Sequence, residues 1–355
     1  MKTIMFTGGG SAGHVTVNLA LIPRFLDEGW KVSYMGSEAG IERELVAGLP
    51  DVKYDAISTG KLRRYLDWQN AKDPFKVAKG VYQAYRIIKA RKPDVLFSKG
   101  GFVAVPVVLA AWLNRVPVII HESDLTPGLA NRIAIPMATG VCTTFPETAG
   151  MLKHKSSKHV GAVVRKELFE GSAKAGRAYC GFHSGKPVML VIGGSLGARR
   201  INEAVRGSLD ELLQHYQIVH LCGKNQTDAS IDRQGYKQFE YVKEELPDLL
   251  AMADIVVSRA GSNAIFEFLA LKKPMLLIPL TKQQSRGDQI LNAQSFQKQG
   301  FCSILYEEDL TGDSLVGAVN QLYDERDAYK DRMSKSEDSN AMSALYNQIV
   351  SVARK

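Results

Sequence analysis

Cysteine is scarce and scattered in this chain. Cys142, Cys180, Cys222 and Cys302 form no C-x-x-C pair. That excludes a disulfide framework and the usual zinc spacing, and suits a reducing cytosol. Long apolar runs are also lacking. The longest, Phe102 to Leu113, has twelve residues, too few to span a bilayer. The start, MKTIMFTGG, enters a strand and a glycine loop directly, so no signal peptide is expected. These absences predict a cytosolic protein whose membrane contact, if any, is peripheral.

The rest of the composition is that of a folded soluble protein, with 45% hydrophobic and 23% charged residues. At 355 residues, two domains are expected. The net charge is +8, and it is concentrated. Residues 61–92 hold ten Lys or Arg against Asp67 and Asp73, an excess equal to that of the whole chain. This basic segment is set in an otherwise balanced sequence.

Strand and helix patterns alternate. Ile4–Thr7, Val32–Met35, Asp94–Ser98 and Val116–His121 read as strands. Val15, Leu19, Ile22 and Leu26 give a helical stripe between the first two. The second half starts again with strands at Pro187–Ile192, Asp254–Ser258 and Pro274–Pro279. DVLFSKGG (94–101) and DIVVSRAG (254–261) share an acidic start, a buried strand, a serine, a basic residue and a glycine. The pattern predicts an α/β protein of two Rossmann-like domains with parallel sheets. The expected domains are 1–160 and 161–355, with the last helix packing back on the first. Leu345, Ile349 and Val352 would form that helix's apolar stripe.

Glycine loops follow the strands at 8–13, 100–101 and 193–197. A glycine loop before a helix N-terminus lets a phosphate approach unpaired backbone N–H groups. Gly8, Gly10 and Gly13 also satisfy G-x-G-x-x-G, and Glu38 stands where a ribose-binding acid is expected. A nicotinamide-dependent oxidoreductase is therefore a competing reading. Against it, the second half carries its own glycine loops, and His14 directly follows the first. Two domains facing across a cleft, each with glycine loops at that cleft, suit a nucleotide-sugar.

Seven stretches carry a resemblance: TGGGSAGH (7–14), KGGFVAVP (99–106), HESDLTPG (121–128), GAVVR (161–165), GGSLGA (193–198), RAGSNAIFE (259–267) and RGDQILNA (286–293). In this order, the chain resembles the lipid II-forming N-acetylglucosaminyltransferases of peptidoglycan synthesis, which have the GT-B fold. The resemblance implies an inverting transfer of N-acetylglucosamine from UDP-N-acetylglucosamine to the C4 hydroxyl of lipid-linked N-acetylmuramyl-pentapeptide. It implies that Ser195 and Arg165 meet the donor phosphates or sugar, and that Glu267 binds the ribose hydroxyls. Val242 would read uracil through its backbone, and Gln289 would contact the sugar hydroxyls. Ser11, Gly13, Gly100 and Gly101 would hold the acceptor diphosphate. His14 is either the base or a group that orients that diphosphate. Its place at a helix start favours the neutral imidazole.

Two departures from the family pattern stand out. Ser11 and Ala12 replace threonine and glycine, a mild change. Asp124 stands where asparagine is typical, and aspartate only accepts hydrogen bonds, so Asp124 is a second candidate base. No D-x-D triplet occurs; no cofactor and no obligate metal are expected. The lipid acceptor implies work at the cytoplasmic face of the cell membrane. Lys72, Lys76, Lys79 and Arg86 would face anionic lipid, with Leu66, Trp68, Phe75 and Trp112 entering the interface. Ala78, Val81, Tyr82, Tyr85 and Ile88 would line the opposite face. Stacking aromatics on a basic groove are not evident, so no nucleic-acid partner is expected. Another GT-B transferase, one acting on a diacylglycerol lipid, and a UDP-N-acetylglucosamine epimerase are further alternatives.

Overall fold

The computed structural model describes residues 1–60, 73–152, 156–183, 185–194, 197–336 and 340–354. The chain divides into two compact units. One contains Met1–Val163 together with the C-terminal stretch, and the other begins at Val164.

The first unit has a seven-stranded sheet. Its strands are β1 (Thr3–Thr7), β2 (Lys31–Ser37), β3 (Val52–Ile57), β4 (Val95–Ser98), β5 (Val118–Glu122), β6 (Gly140–Thr143) and β7 (Ser157–His159). The second unit has six: β8 (Val188–Ile192), β9 (Gln217–Leu221), β10 (Tyr236–Phe239), β11 (Ile255–Ser258), β12 (Met275–Leu277) and β13 (Cys302–Ile304). The orders are β3-β2-β1-β4-β5-β6-β7 and β10-β9-β8-β11-β12-β13. Every pairing is parallel. Apart from the extra edge strand β7, the two orders are the same doubly wound topology. The order reverses beside β1 in one unit and beside β8 in the other, where such sheets bind ligands.

The paired sequences 94–101 and 254–261 occupy equivalent places, at β4 and β11. Their shared acidic start has one job in both. Asp94 Oδ2 accepts the Thr3 N–H at 2.8 Å, and Asp254 Oδ2 accepts the Val188 N–H at 2.8 Å. Each aspartate satisfies a donor at the start of the central strand that would otherwise lack a partner.

The helix Thr16–Asp27 buries Val17, Asn18, Leu21, Ile22 and Phe25. Its core face is thus rotated from the predicted stripe, and Leu19 and Leu26 lie at the edge of the core. The C-terminal helix Ala341–Val352 places Leu345, Tyr346 and Ile349 in that same core. Tyr346 packs on Phe25 at 4.7 Å between ring centres.

The helix Asp73–Arg91 corrects a second expectation. Gly80, Ala84 and Ile88 are its buried residues, four apart, with Tyr85 packed beside them. Tyr82 is exposed on the other side with Lys79 and Arg86, as is Ala78. The Arg86 guanidinium lies 6.0 Å from the centre of the Tyr82 ring. Lys72, Leu66 and Trp68 lie outside the described residues. The apolar run ending at Leu113 is the helix Ala104–Leu113. Among the described residues no helix is long and apolar enough to cross a membrane.

Candidate functional site

In the first unit the loops after β1, β4 and β5 meet at the carboxyl edge of the sheet. The Gly9 N–H donates to Gly100 O at 3.4 Å. Gly101 sits at φ +81°, a conformation that favours glycine, and a β-carbon there would overlap Gly9 O. The same β-carbon would lie 3.1 Å from His14 Nδ1.

The 8–14 loop is held from behind by a fully buried carboxylate. Glu42 Oε2 accepts the Gly10 N–H at 3.2 Å, and Oε1 accepts the Ser37 N–H at 3.0 Å and the Ser37 hydroxyl. A β-carbon at Gly9 would stand 2.5 Å from the Glu42 carboxyl carbon. Part of the glycine content therefore serves this internal anchor. Tyr34 donates to Gly8 O at 2.7 Å, and Asn18 donates to Thr7 O at 3.2 Å. His14 ends a 3-10 turn, Ala12–His14, that also contains Gly13. Its Nδ1 lies 2.9 Å from Ser11 Oγ.

The loop after β5 is organised by Glu122. Its Oε1 accepts the Asp124 N–H at 2.9 Å, and its Oε2 accepts the Gly128 N–H at 3.0 Å and Asn131 Nδ2 at 2.9 Å. Burial and the nearby Asp124 charge push the Glu122 carboxyl above its ordinary range, against Lys99 and these hydrogen bonds. Lys99 is buried, and its ammonium donates to Ser123 Oγ. Burial lowers its pKa, opposed by Glu122 and Asp124. His121 is buried beside them and held neutral by burial and by the Lys99 charge. Asn131 packs on Gly100: a β-carbon there would be 2.7 Å from Asn131 Oδ1. Asp124 is partly exposed at the end of this chain of contacts.

In the second unit, Arg165 and Glu267 are joined. Arg165 Nε donates to Oε1 at 3.0 Å and Nη2 to Oε2 at 3.3 Å. Arg165 precedes a short 3-10 turn, Lys166–Phe169, and Glu267 lies on the helix Ser262–Ala270 that follows β11. Arg165 also lines a cavity of about 540 Å³ with Glu167, Lys243 and Asp248. Val242, next to Lys243, is itself buried. Gln289 is half-buried, and its Oε1 accepts the Leu280 N–H at 3.1 Å. This fixes the side chain and orients its amide NH₂. Ser195 lies outside the described residues.

Residues 4–143 match the glycosyltransferase family 28 N-terminal domain, and residues 188–348 match its C-terminal domain. The chain is similar over its length to a protein of Geobacillus thermodenitrificans (strain NG80-2). That relative is named UDP-N-acetylglucosamine--N-acetylmuramyl-(pentapeptide) pyrophosphoryl-undecaprenol N-acetylglucosamine transferase. The two are 59% identical over 354 residues, with 99% of each covered. The chain belongs to glycosyltransferase family 28. Among solved structures, this family 28 chain is similar to the MurG of Acinetobacter baumannii, at 25% identity and a TM-score of 0.78. That match covers 99% of this chain and 100% of the other. It also shares its fold with a UDP-GlcNAc 2-epimerase from Neisseria meningitidis, at 14% identity and a TM-score of 0.67, over 99% of this chain and 100% of the epimerase. The fold is thus common to transferase and epimerase, and family 28 membership separates them.

Within the first unit, the structure gathers Ser11, Gly13, His14, Gly100, Gly101 and Asp124 on adjoining strand ends. Sequence reasoning missed Glu42 and Asn131, and quoted Glu122 inside HESDLTPG without giving it a role. It quoted Lys99 inside a motif without giving it a role. Glu42 reads as a solvated acid opening a helix; only its burial reveals the anchor.

Proposed function

We propose that this family 28 chain transfers N-acetylglucosamine from UDP-N-acetylglucosamine to the C4 hydroxyl of undecaprenyl-diphospho-N-acetylmuramyl-pentapeptide, with inversion at the anomeric carbon. The observation that carries the reading is the 59% identity, over 99% of both chains, to a relative named for that transfer. The glycine loops and the Arg165–Glu267 pair are the chemistry it needs.

In this reading the second unit takes the donor. The Arg165 guanidinium is always charged and balances charge on the leaving UDP. Glu267, fixed by Arg165, offers its remaining acceptor capacity to the ribose hydroxyls. Ser195 serves the phosphates, Val242 reads uracil through its backbone, and the Gln289 amide meets the sugar. No obligate metal is invoked.

The first unit takes the acceptor. Ser11, Gly13, Gly100 and Gly101 line the diphosphate. The C4 oxygen attacks the anomeric carbon, its proton passes to a base, and the anomeric C–O bond breaks toward UDP. The base is His14 or Asp124. When His14 Nδ1 donates to Ser11, Nε2 is the basic nitrogen; when Ser11 donates, Nε2 carries the proton. Asp124 is a carboxylate acceptor in either case.

The lipid acceptor brings the enzyme to the cytoplasmic face of the membrane. Phe75 and Tyr82 on one helix, and Trp112 and Leu113 on its packed neighbour, are exposed apolar groups. Lys76, Lys79 and Arg86 share the exposed side of the first helix. Each basic side chain near anionic lipid adds about 1 kcal/mol.

Calorimetry of UDP-N-acetylglucosamine binding, without metal, tests the reading. Saturable binding that weakens in Arg165→Ala is expected. Binding of NADH in place of this donor overturns it and restores the oxidoreductase.

A further inference from the structure

Lys99 is 2% exposed, a costly position for an ammonium. Its backbone is pinned, because its N–H donates to Thr7 O at 2.9 Å. Its β-carbon lies where a β-carbon at Gly8 would stand 3.1 Å away. The next residues, Gly100 and Gly101, carry the contacts to Asn131, Gly9 and His14. From this junction the side chain crosses to the loop after β5 and donates to Ser123 Oγ.

Glu122 and Asp124 act on its charge from β5 and its loop, and its charge in turn helps hold His121 neutral. On the glycine-loop side the titratable groups are His14, beside Gly101, and Glu42, behind Gly9 and Gly10. The Glu122 oxygens already accept three N–H donors. Asp124 is the partly exposed carboxylate of the pair.

We propose that Lys99 is a positioning residue for the acceptor site: its buried ammonium locks the 121–128 loop, with the Asp124 carboxylate, against the glycine loops. This rests on the reading that the first unit binds the lipid-linked acceptor. Lys99 reaches substrate through Ser123 and Asp124 and touches none itself. Lys99 therefore sets the place of the loop that carries Asp124.

The test compares Lys99→Met, Lys99→Arg and Asp124→Ala with the wild type in the full chain. The readouts are kcat and KM for each substrate, and the recovery of both in Lys99→Arg. UDP-N-acetylglucosamine and a short-chain lipid-linked muramyl-pentapeptide are the probes. Lys99→Met should lower kcat by about 10–100-fold and raise the acceptor KM. It should leave the donor KM within about twofold, since that substrate is assigned to the other unit. Lys99→Arg should restore most of the rate. Wild-type kcat and acceptor KM in Lys99→Met overturn the proposal. Should Lys99→Met fail to fold by circular dichroism, Ser123→Ala removes the anchor and keeps the charge. A loss confined to kcat and acceptor KM then supports the proposal, and wild-type kinetics overturn it. If Asp124→Ala is as active as wild type, the acceptor reading of this loop fails, and the proposal with it. An inactive Asp124→Ala beside an unaffected Lys99→Met removes the proposal alone.

Discussion

Arg165 and Glu267 stand 102 residues apart in sequence and meet as a two-pronged ion pair. Their side chains are 36% and 13% exposed. The pair is too wet to be a large stability element, since partly exposed ion pairs contribute about 0–1 kcal/mol. Its value is geometric: the planar guanidinium fixes the plane of the carboxylate.

This makes lysine a poor substitute. Arg165→Lys keeps the charge and loses the fork. It should raise the KM for UDP-N-acetylglucosamine by about tenfold and leave the melting temperature near that of wild type. Glu267→Ala should act in the same direction on the donor and leave acceptor KM unchanged. Steady-state kinetics with each substrate varied in turn check both.

Gly101→Ala adds strain and overlap together. The left-handed conformation costs a non-glycine residue about 1–2 kcal/mol, and overpacking adds about 1–3 kcal/mol. Gly29 is the control. It has φ +76°, and a β-carbon there meets nothing within 4 Å, so Gly29→Ala should show the conformational cost alone. Urea unfolding of the two variants separates the terms. Gly101→Ala should also lose acceptor turnover, because its overlap falls on Gly9.

His220 predicts a pH dependence of stability. It lies on β9 with Nδ1 2.8 Å from Tyr236 Oη and Nε2 2.9 Å from Asn202 Oδ1. Burial, then the Arg206 charge, pushes its pKa down to about 3. The unfolded chain takes up a proton near pH 6.5 and the folded chain does not until about 3. Stability therefore falls as pH drops through that window, by at most about 1.4 kcal/mol per pH unit from this residue. In His220→Gln the melting temperature should depend less on pH over the same range.

Phe75, Tyr82 and Trp112 predict membrane behaviour. Replacing all three with serine should weaken binding to anionic vesicles by at least about tenfold, without changing binding of UDP-N-acetylglucosamine. Raising salt should weaken wild-type binding too, since the basic side chains contribute through a screened field. Vesicle sedimentation measures both.

The strand–loop–helix alternation was legible because β1, β4, β5, β8 and β11 are compact apolar runs buried on both faces. β3, with the sequence VKYDAI, was not, because polar residues at the sheet edge break its run. β7, the opposite edge strand, is short and largely exposed for the same peripheral reason. The acidic residue shared by the two repeats was visible, but its hydrogen bond to the neighbouring strand was not. Tyr82 was misplaced because helical spacing alone does not say which side meets the core; Ala84 and Ile88 decide that. At the site, the motifs marked the loops. The buried groups that hold them, Glu42 and Glu122, read as ordinary surface acids until their burial is known.

The most direct test of the account is transfer itself. Labelled UDP-N-acetylglucosamine and lipid-linked muramyl-pentapeptide are incubated with the protein in EDTA, and the lipid product is isolated. The account predicts a labelled, β-linked disaccharide lipid and one UDP released per sugar transferred. Release of UDP or an epimerised sugar, with no label on the lipid, would contradict it.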